Sequence, residues 1–288
     1  MTFDLITFGC SWTYGRGVGY ETGMSAEEYH KNKDLPENCE NYSYRALLTK
    51  KWGCNNINYS VPASSNMRQF RHALEHFKSK PKKKTVVLWA ITSIFRHEVW
   101  CNERIKRGVS EGKGYSNILY HIVEGNNNEN LNKIDQLPSE QNPPNWKTGH
   151  VDVKEYIKYH FDVDNQIQIL CNQMNHWNLF FESLGIENYW LDTFNHHNYP
   201  CEIPRMLFNH EPERDLLSML VNNYNNDTNH KHQDLSYMSR FNIKYSKGVS
   251  EAKKNGLINP HTFHPTKKSH TIIADMIDEE IKLINNIR

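Results

Sequence analysis

Short apolar runs alternate along this chain with longer stretches whose apolar residues recur every three or four positions. Leu5-Ile6-Thr7-Phe8 reads as a short central strand, and Asn56-Ile57-Asn58-Tyr59 as a weaker one. Thr85-Val86-Val87-Leu88-Trp89-Ala90-Ile91 is continuous, β-branched and aromatic, as expected of a parallel strand covered on both faces. The segment from Ile186 to Leu191 is the fourth strand candidate. Between the strands the period changes. Ser64 or Ser65 can cap a helix that carries Met67, Phe70, Leu74 and Phe77 on one side. Ile167, Leu170, Met174, Trp177, Phe181 and Leu184 form an amphipathic stripe that Gly185 stops. A last helix is predicted from about Lys267, with Ile272, Ile273, Met276, Ile277, Ile281 and Ile284 facing inward.

Strands that alternate with helices predict an α/β fold: a three-layer α/β/α sandwich around a parallel central sheet. The whole chain, 1–288, is expected to form one domain. Residues 101–150 break the pattern. They are rich in Asn, Gly, Lys and Pro, and read as a polar insertion or lid within that domain. A second polar interruption spans about 222–250, and no internal repeat is found.

Charge narrows the classes of partner. The formal net charge is +1, so no global field draws the chain to nucleic acid or to a membrane surface. No run approaches the roughly 18 apolar residues of a membrane span. The N-terminus lacks the basic and apolar regions of a secretory signal. Cys10, Cys39, Cys54, Cys101, Cys171 and Cys201 are scattered with no CxxC pair, which argues against a zinc ribbon and predicts mostly reduced thiols. The expected location is the cytoplasm.

In a parallel α/β sheet, sites form beyond the carboxyl ends of the strands. The first such end is "GCSWTYGRG", Gly9 to Gly17, where Ser11 follows a buried strand. A serine there can cap a helix or act as a nucleophile. Near the C-terminus, His264-Pro265-Thr266 sits just before the last helix, where a loop can hold an imidazole against a serine from strand one. His261, His264 and His270 lack a companion carboxylate, so no metal is expected. The glycines at 9, 15, 17 and 19 match neither a phosphate loop nor a dinucleotide fingerprint, and no cofactor is expected.

Together these blocks resemble the SGNH, or GDSL-type, hydrolases. Gly9-Cys10-Ser11-Trp12-Thr13 is similar to the first block, with Cys10 in place of Asp. Asn58 to Ala63 resembles the second, with Ala63 at the glycine. The third would fall on Ala90-Ile91-Thr92-Ser93, where the family's glycine and asparagine are both missing. The last falls on His261 to Pro265, with His261 replacing the acid. Order and spacing span nearly the whole chain, and Arg96 after the third strand makes the sequence look phage-like.

The resemblance implies a flavodoxin-like sandwich and a serine esterase. Ser11 would attack an ester carbonyl, and His264 would take the Ser11 proton and return it to the leaving alcohol. Ser11, Ala63 and Thr92 would form the oxyanion hole. His261 or Asp192 could orient His264, or a main-chain carbonyl could. Trp12, Tyr14 and Arg96 are the substrate-binding candidates: the aromatics for a sugar, Arg96 for an anionic or sugar group or for pairing with Glu98. The expected substrate is a small acyl ester or an acylated glycan, deacetylated through a Ser–His dyad. The alternatives are an acyltransferase, or a non-catalytic binding or virion-associated structural protein on a degenerate SGNH scaffold, with a virion or homo-oligomer partner.

Overall fold

In the computed structural model of this chain the four apolar runs become one parallel sheet. The structure describes residues 3–32, 35–62, 64–94, 96–100, 115–119, 162–194, 199–209, 215–222 and 247–286. The strands are β1 (Asp4–Phe8), β2 (Asn55–Asn58), β3 (Thr85–Ile91) and β6 (Glu187–Asp192). Their order is β2-β1-β3-β6, with Ile6 beside Ile57 on one side and beside Val87 on the other. β3 is buried along its whole length, whereas β2 at the edge is half-exposed. That difference explains why one was a strong signal in the sequence and the other a faint one.

Alternate residues of each strand face opposite cores. Leu5, Val86, Leu88, Ala90, Tyr189 and Leu191 point to one side. There they meet α4 (Tyr44–Trp52), α7 (Leu216–Asn222), α8 (Lys247–Lys254) and α9 (Lys267–Asn286). Ile6, Phe8, Val87, Trp89, Ile91 and Trp190 point to the other side, against α5 (Asn66–His76) and α6 (Val163–Leu184). Helices therefore cover both faces, and the fold is the three-layer α/β/α sandwich that the alternation predicts. The α6 stripe packs as expected, from Ile167 to Leu184, and Gly185 ends the helix in the left-handed conformation.

α5 departs from expectation in the face it buries. Ser65 is its cap and accepts from the Arg68 N–H at 3.1 Å. Phe70 and Phe77 are buried, but Met67 and Leu74 are exposed. Asn66, Gln69 and Ala73 take the inward positions instead. The two polar residues are drawn there because they bond the main chain at the end of β3: Gln69 Nε2 donates to the Ala90 carbonyl at 3.3 Å.

Beyond β3, β4 (Arg96–Trp100) pairs antiparallel with β5 (Tyr115–Leu119). The predicted insertion therefore contributes a hairpin strand at 115–119; its other residues, and most of the 222–250 interruption, lie outside the described residues. Among the described cysteines, Cys10, Cys39 and Cys54 are free thiols. Cys171 of α6 and Cys201 depart from the expected reduced state and form a disulfide with Cα atoms 7.2 Å apart. No described helix is long and apolar enough to cross a membrane.

Candidate functional site

The chain leaves β1 toward β2 on one side and reaches β3 on the other. The carboxyl ends of β1 and β3 therefore flank the topological switch point, where open α/β sheets bind ligands. Ser11 stands there. Gly9 makes the turn out of β1, and a Cβ at that position would lie 2.0 Å from Thr13 Oγ1. Helix α1 (Ser11–Tyr14) follows at once. Its cap residue is Cys10, which is fully buried and makes no side-chain capping bond. Ser11 is therefore inside the first turn and is not the cap. The residue is 6% exposed, and no described residue hydrogen-bonds its hydroxyl.

His264 reaches the same loop from the C-terminal side. Residues 259–264 form a tight loop: Asn259 N–H donates to the His264 carbonyl at 2.8 Å, and Phe263 N–H to the Asn259 carbonyl at 2.9 Å. Phe263 takes a positive φ of 61°, a strained conformation for a bulky residue. Gly17 (φ 99°) lies flat against this loop. A Cβ on Gly17 would stand 2.2 Å from the Pro265 carbonyl oxygen and 2.9 Å from His264 Cβ. The backbone N–H groups of Gly15 and Arg16 fold back onto the Ser11 carbonyl at 3.2 and 2.9 Å. One closed turn thus carries Ser11 at its start and meets His264 just past its end. Ser11 and His264 are not hydrogen-bonded to each other.

A buried polar network fixes this turn from beneath. Thr13 Oγ1 and the Tyr44 hydroxyl share a hydrogen bond of 2.7 Å, and burial pushes the Tyr44 phenol up. Tyr44 N–H donates to His270 Nδ1 at 3.1 Å. The fully buried Arg45 holds Glu40 through both of its η nitrogens and reaches the Tyr14 carbonyl at 3.4 Å. Of these residues the sequence singled out Tyr14, Thr13 as part of the first block, and His270 only for a metal reading; Glu40, Tyr44 and Arg45 escaped it, because a Tyr-Arg pair inside a helix carries no periodic signal.

His270 makes stability depend on pH. Burial holds its imidazole down to about 3. An unfolded histidine takes its proton near pH 6.5. As pH falls from 6.5 toward 3 the unfolded chain binds a proton that the folded chain refuses, so stability falls. The slope from this one group approaches about 1.4 kcal/mol per pH unit. Urea unfolding of wild type and His270→Gln across that range should show the variant's stability changing less steeply.

The other candidates divide. Thr92 ends β3 and is clamped by Asn66, whose Oδ1 accepts from the Thr92 N–H and whose Nδ2 donates to the Thr92 carbonyl, each at 2.9 Å. The third block lacks its asparagine, yet an asparagine from α5 grips the same main chain. Arg96 Nη1 donates to Thr92 Oγ1 at 2.7 Å, and its guanidinium lies 5.1 Å from the centre of the Phe194 ring. Phe194 in turn meets Trp12 edge-on at 5.1 Å.

Trp12 is 1% exposed within the core, so its ring face offers no platform for a sugar. Tyr14 is half-buried. His261 turns away from the role assigned to it: its Nε2 bonds the Met24 carbonyl at 2.9 Å and its ring meets Tyr20, because the loop before α2 (Ala26–Asn32) packs on that side. Asp192 is fully buried and accepts from the Tyr199 hydroxyl at 2.8 Å; burial first, and then this carboxylate, push the Tyr199 phenol up. Ala63 and the side chain of Glu98 lie outside the described residues. No group of three metal-ligating side chains gathers among the described residues.

No protein-family model matches the chain, and no curated protein matches it either. Similar solved structures include the psychrotrophic esterase EstA from Pseudoalteromonas sp., inhibited by monoethylphosphonate, at 10% identity. That likeness covers 98% of each chain with a TM-score of 0.36. Another is LAE5, an alpha/beta hydrolase enzyme from the metagenome of Lake Arreo, Spain. It is 13% identical over 95% of this chain and 92% of that one, with a TM-score of 0.33.

Proposed function

We propose that this protein hydrolyses acyl esters, with Ser11 as nucleophile and His264 as general base. One observation carries the proposal. A serine that caps nothing begins the turn after the central strand, and Gly17 at the end of that turn lies against the His264 loop. Strain at Phe263, next to His264, fits a loop held for chemistry and not for packing.

The steps follow from the groups present. Ser11 Oγ attacks the ester carbonyl carbon while its proton passes to His264. The carbonyl oxygen becomes an oxyanion, which the Ser11 N–H and the Thr92 hydroxyl would stabilise as donors. Because the Thr92 oxygen accepts from Arg96, its own proton is left to donate toward substrate. The protonated His264 then gives its proton to the leaving alkoxide, and the alcohol departs. Water repeats the sequence on the acyl-serine. Position 261 supplies no carboxylate to orient His264, and the His261 ring is taken by the Met24 carbonyl. With Trp12 in the core, one of the two aromatics that support an acylated glycan is lost, and a small acyl ester is the substrate class carried forward.

Stopped-flow mixing with p-nitrophenyl acetate tests this. The expected result is a burst of about one p-nitrophenol per chain, followed by slower turnover as the acyl-serine hydrolyses. The missing Ser11–His264 hydrogen bond favours a second reading, a non-catalytic scaffold. That reading expects no release above the buffer rate.

A further inference from the structure

We infer that Arg96 is an anion anchor, so that this site takes esters bearing a carboxylate on the acyl group. The inference rests on the hydrolase proposal for its chemistry and shares Thr92 with it, while Arg96 and Phe194 are its own.

Arg96 opens β4 where the chain rises from the carboxyl end of β3. Its main-chain N–H closes a turn onto the Ser93 carbonyl at 3.1 Å. Its guanidinium is held in two ways. Nη1 is fixed on the Thr92 hydroxyl, and the Asn66 clamp makes Thr92 a rigid post. The flat face lies over Phe194. A guanidinium has five N–H donors in a planar fork, and only one is spent on Thr92. No carboxylate among the described residues pairs with it. Asp192, on the neighbouring strand end, takes the Tyr199 hydroxyl instead.

A partly buried cation with no counter-charge among the described residues is costly to hold, and a substrate anion removes that cost. A carboxylate fits the fork through two parallel hydrogen bonds. The reacting centre is close by. Phe194, under the guanidinium, touches Trp12, and Trp12 follows Ser11 in the chain. Arg96 is also fixed on the Thr92 hydroxyl, which the proposed mechanism aims at the oxyanion, so an acid bound at Arg96 would lie beside the reacting carbonyl. A short dicarboxylic half-ester suits that arrangement.

Two measurements separate failure of the anchor from failure of the hydrolase reading. The first compares wild-type kcat/KM for the p-nitrophenyl half-ester of glutaric acid and for neutral p-nitrophenyl butyrate. The half-ester should be favoured by about tenfold to a hundredfold, the range of a charge-assisted pair. In Arg96→Gln that ratio should fall toward one, mainly through KM, and Arg96→Lys should keep part of it. The second uses calorimetry on Ser11→Ala protein, with glutarate against neutral glutaramide, and needs no turnover. Glutarate should bind at least about ten times more tightly, and the advantage should shrink as salt rises.

If neither ester is cleaved but glutarate binds through Arg96, the hydrolase reading fails and the anchor stands. If both esters are cleaved without preference and glutarate binds no better than glutaramide, the anchor is overturned. Glutarate binding that survives Arg96→Gln also overturns it. It would move the anion to the lysines of the 300 Å³ cavity at the opposite strand ends, lined by Lys80, Lys82 and Lys83. A variant that fails to fold leaves the wild-type comparison of glutarate with glutaramide to decide.

Discussion

Ser11→Ala should reduce ester hydrolysis by about 10⁶-fold while leaving the fold intact, the scale seen when a serine nucleophile is removed. The two halves of that expectation have separate origins. The rate loss follows from chemistry, since without Oγ there is no covalent intermediate and no burst. The unchanged stability follows from structure. Cys10, and not Ser11, caps α1, and no described residue bonds the Ser11 hydroxyl. Removing a small, unengaged oxygen leaves no partner orphaned, so the cost stays within the roughly 0.5 kcal/mol typical of changes away from any specific mechanism. Steady-state kinetics beside a urea titration would check both. A capping serine would give the reverse pattern, losing about 1 kcal/mol of stability and no activity.

Gly17→Ala should damage stability and activity together. The position needs a φ of 99°, which an alanine adopts only at a cost. The added methyl would also meet the Pro265 carbonyl at 2.2 Å and His264 Cβ at 2.9 Å. Backbone strain of this kind costs about 1–3 kcal/mol, and forcing an extra methyl into packed structure costs roughly 1–3 kcal/mol more. The first obstruction is main chain, which cannot rotate aside, so the 259–265 loop must back away and carry His264 with it. A misplacement of about 1 Å can cost on the order of 10²-fold in rate. Thermal melts and kcat measured on the folded fraction would separate the two effects. Gly23→Ala is the control, because its positive φ is similar while nothing stands within 4 Å of the added methyl.

The sheet was legible because its strands are covered on both faces, so that Thr85 to Ile91 reads as an unbroken apolar run. The α6 stripe was legible because every member of it faces one core. α5 misled because two polar residues, Asn66 and Gln69, occupy its inner face to serve the main chain of β3, and hydropathy ranks such positions as exposed. α4 escaped notice for a related reason: its inner face includes Arg45, fully buried against Glu40.

Ser11 was legible as a nucleophile type at a strand end and His264 as an imidazole in the loop before the last helix, while Thr92 came from the family resemblance. Their partners were not. His261 bonds a carbonyl 237 positions away in sequence, and the Asn66 clamp on Thr92 spans 26. No local pattern encodes pairings of that range. Trp12 was assigned to a pocket because an aromatic beside a nucleophile can stack on a sugar. Its place in the core is set by Phe194 and by the helices that cover the sheet.

The most direct test of the central claim is to treat the protein with a fluorophosphonate probe and map the adduct by peptide mass spectrometry. An activated serine reacts with such a probe, and an ordinary one does not. The account predicts one adduct per chain, on Ser11, forming much more slowly in His264→Ala. No adduct on Ser11 in folded protein, or labelling that proceeds unchanged without His264, would contradict it.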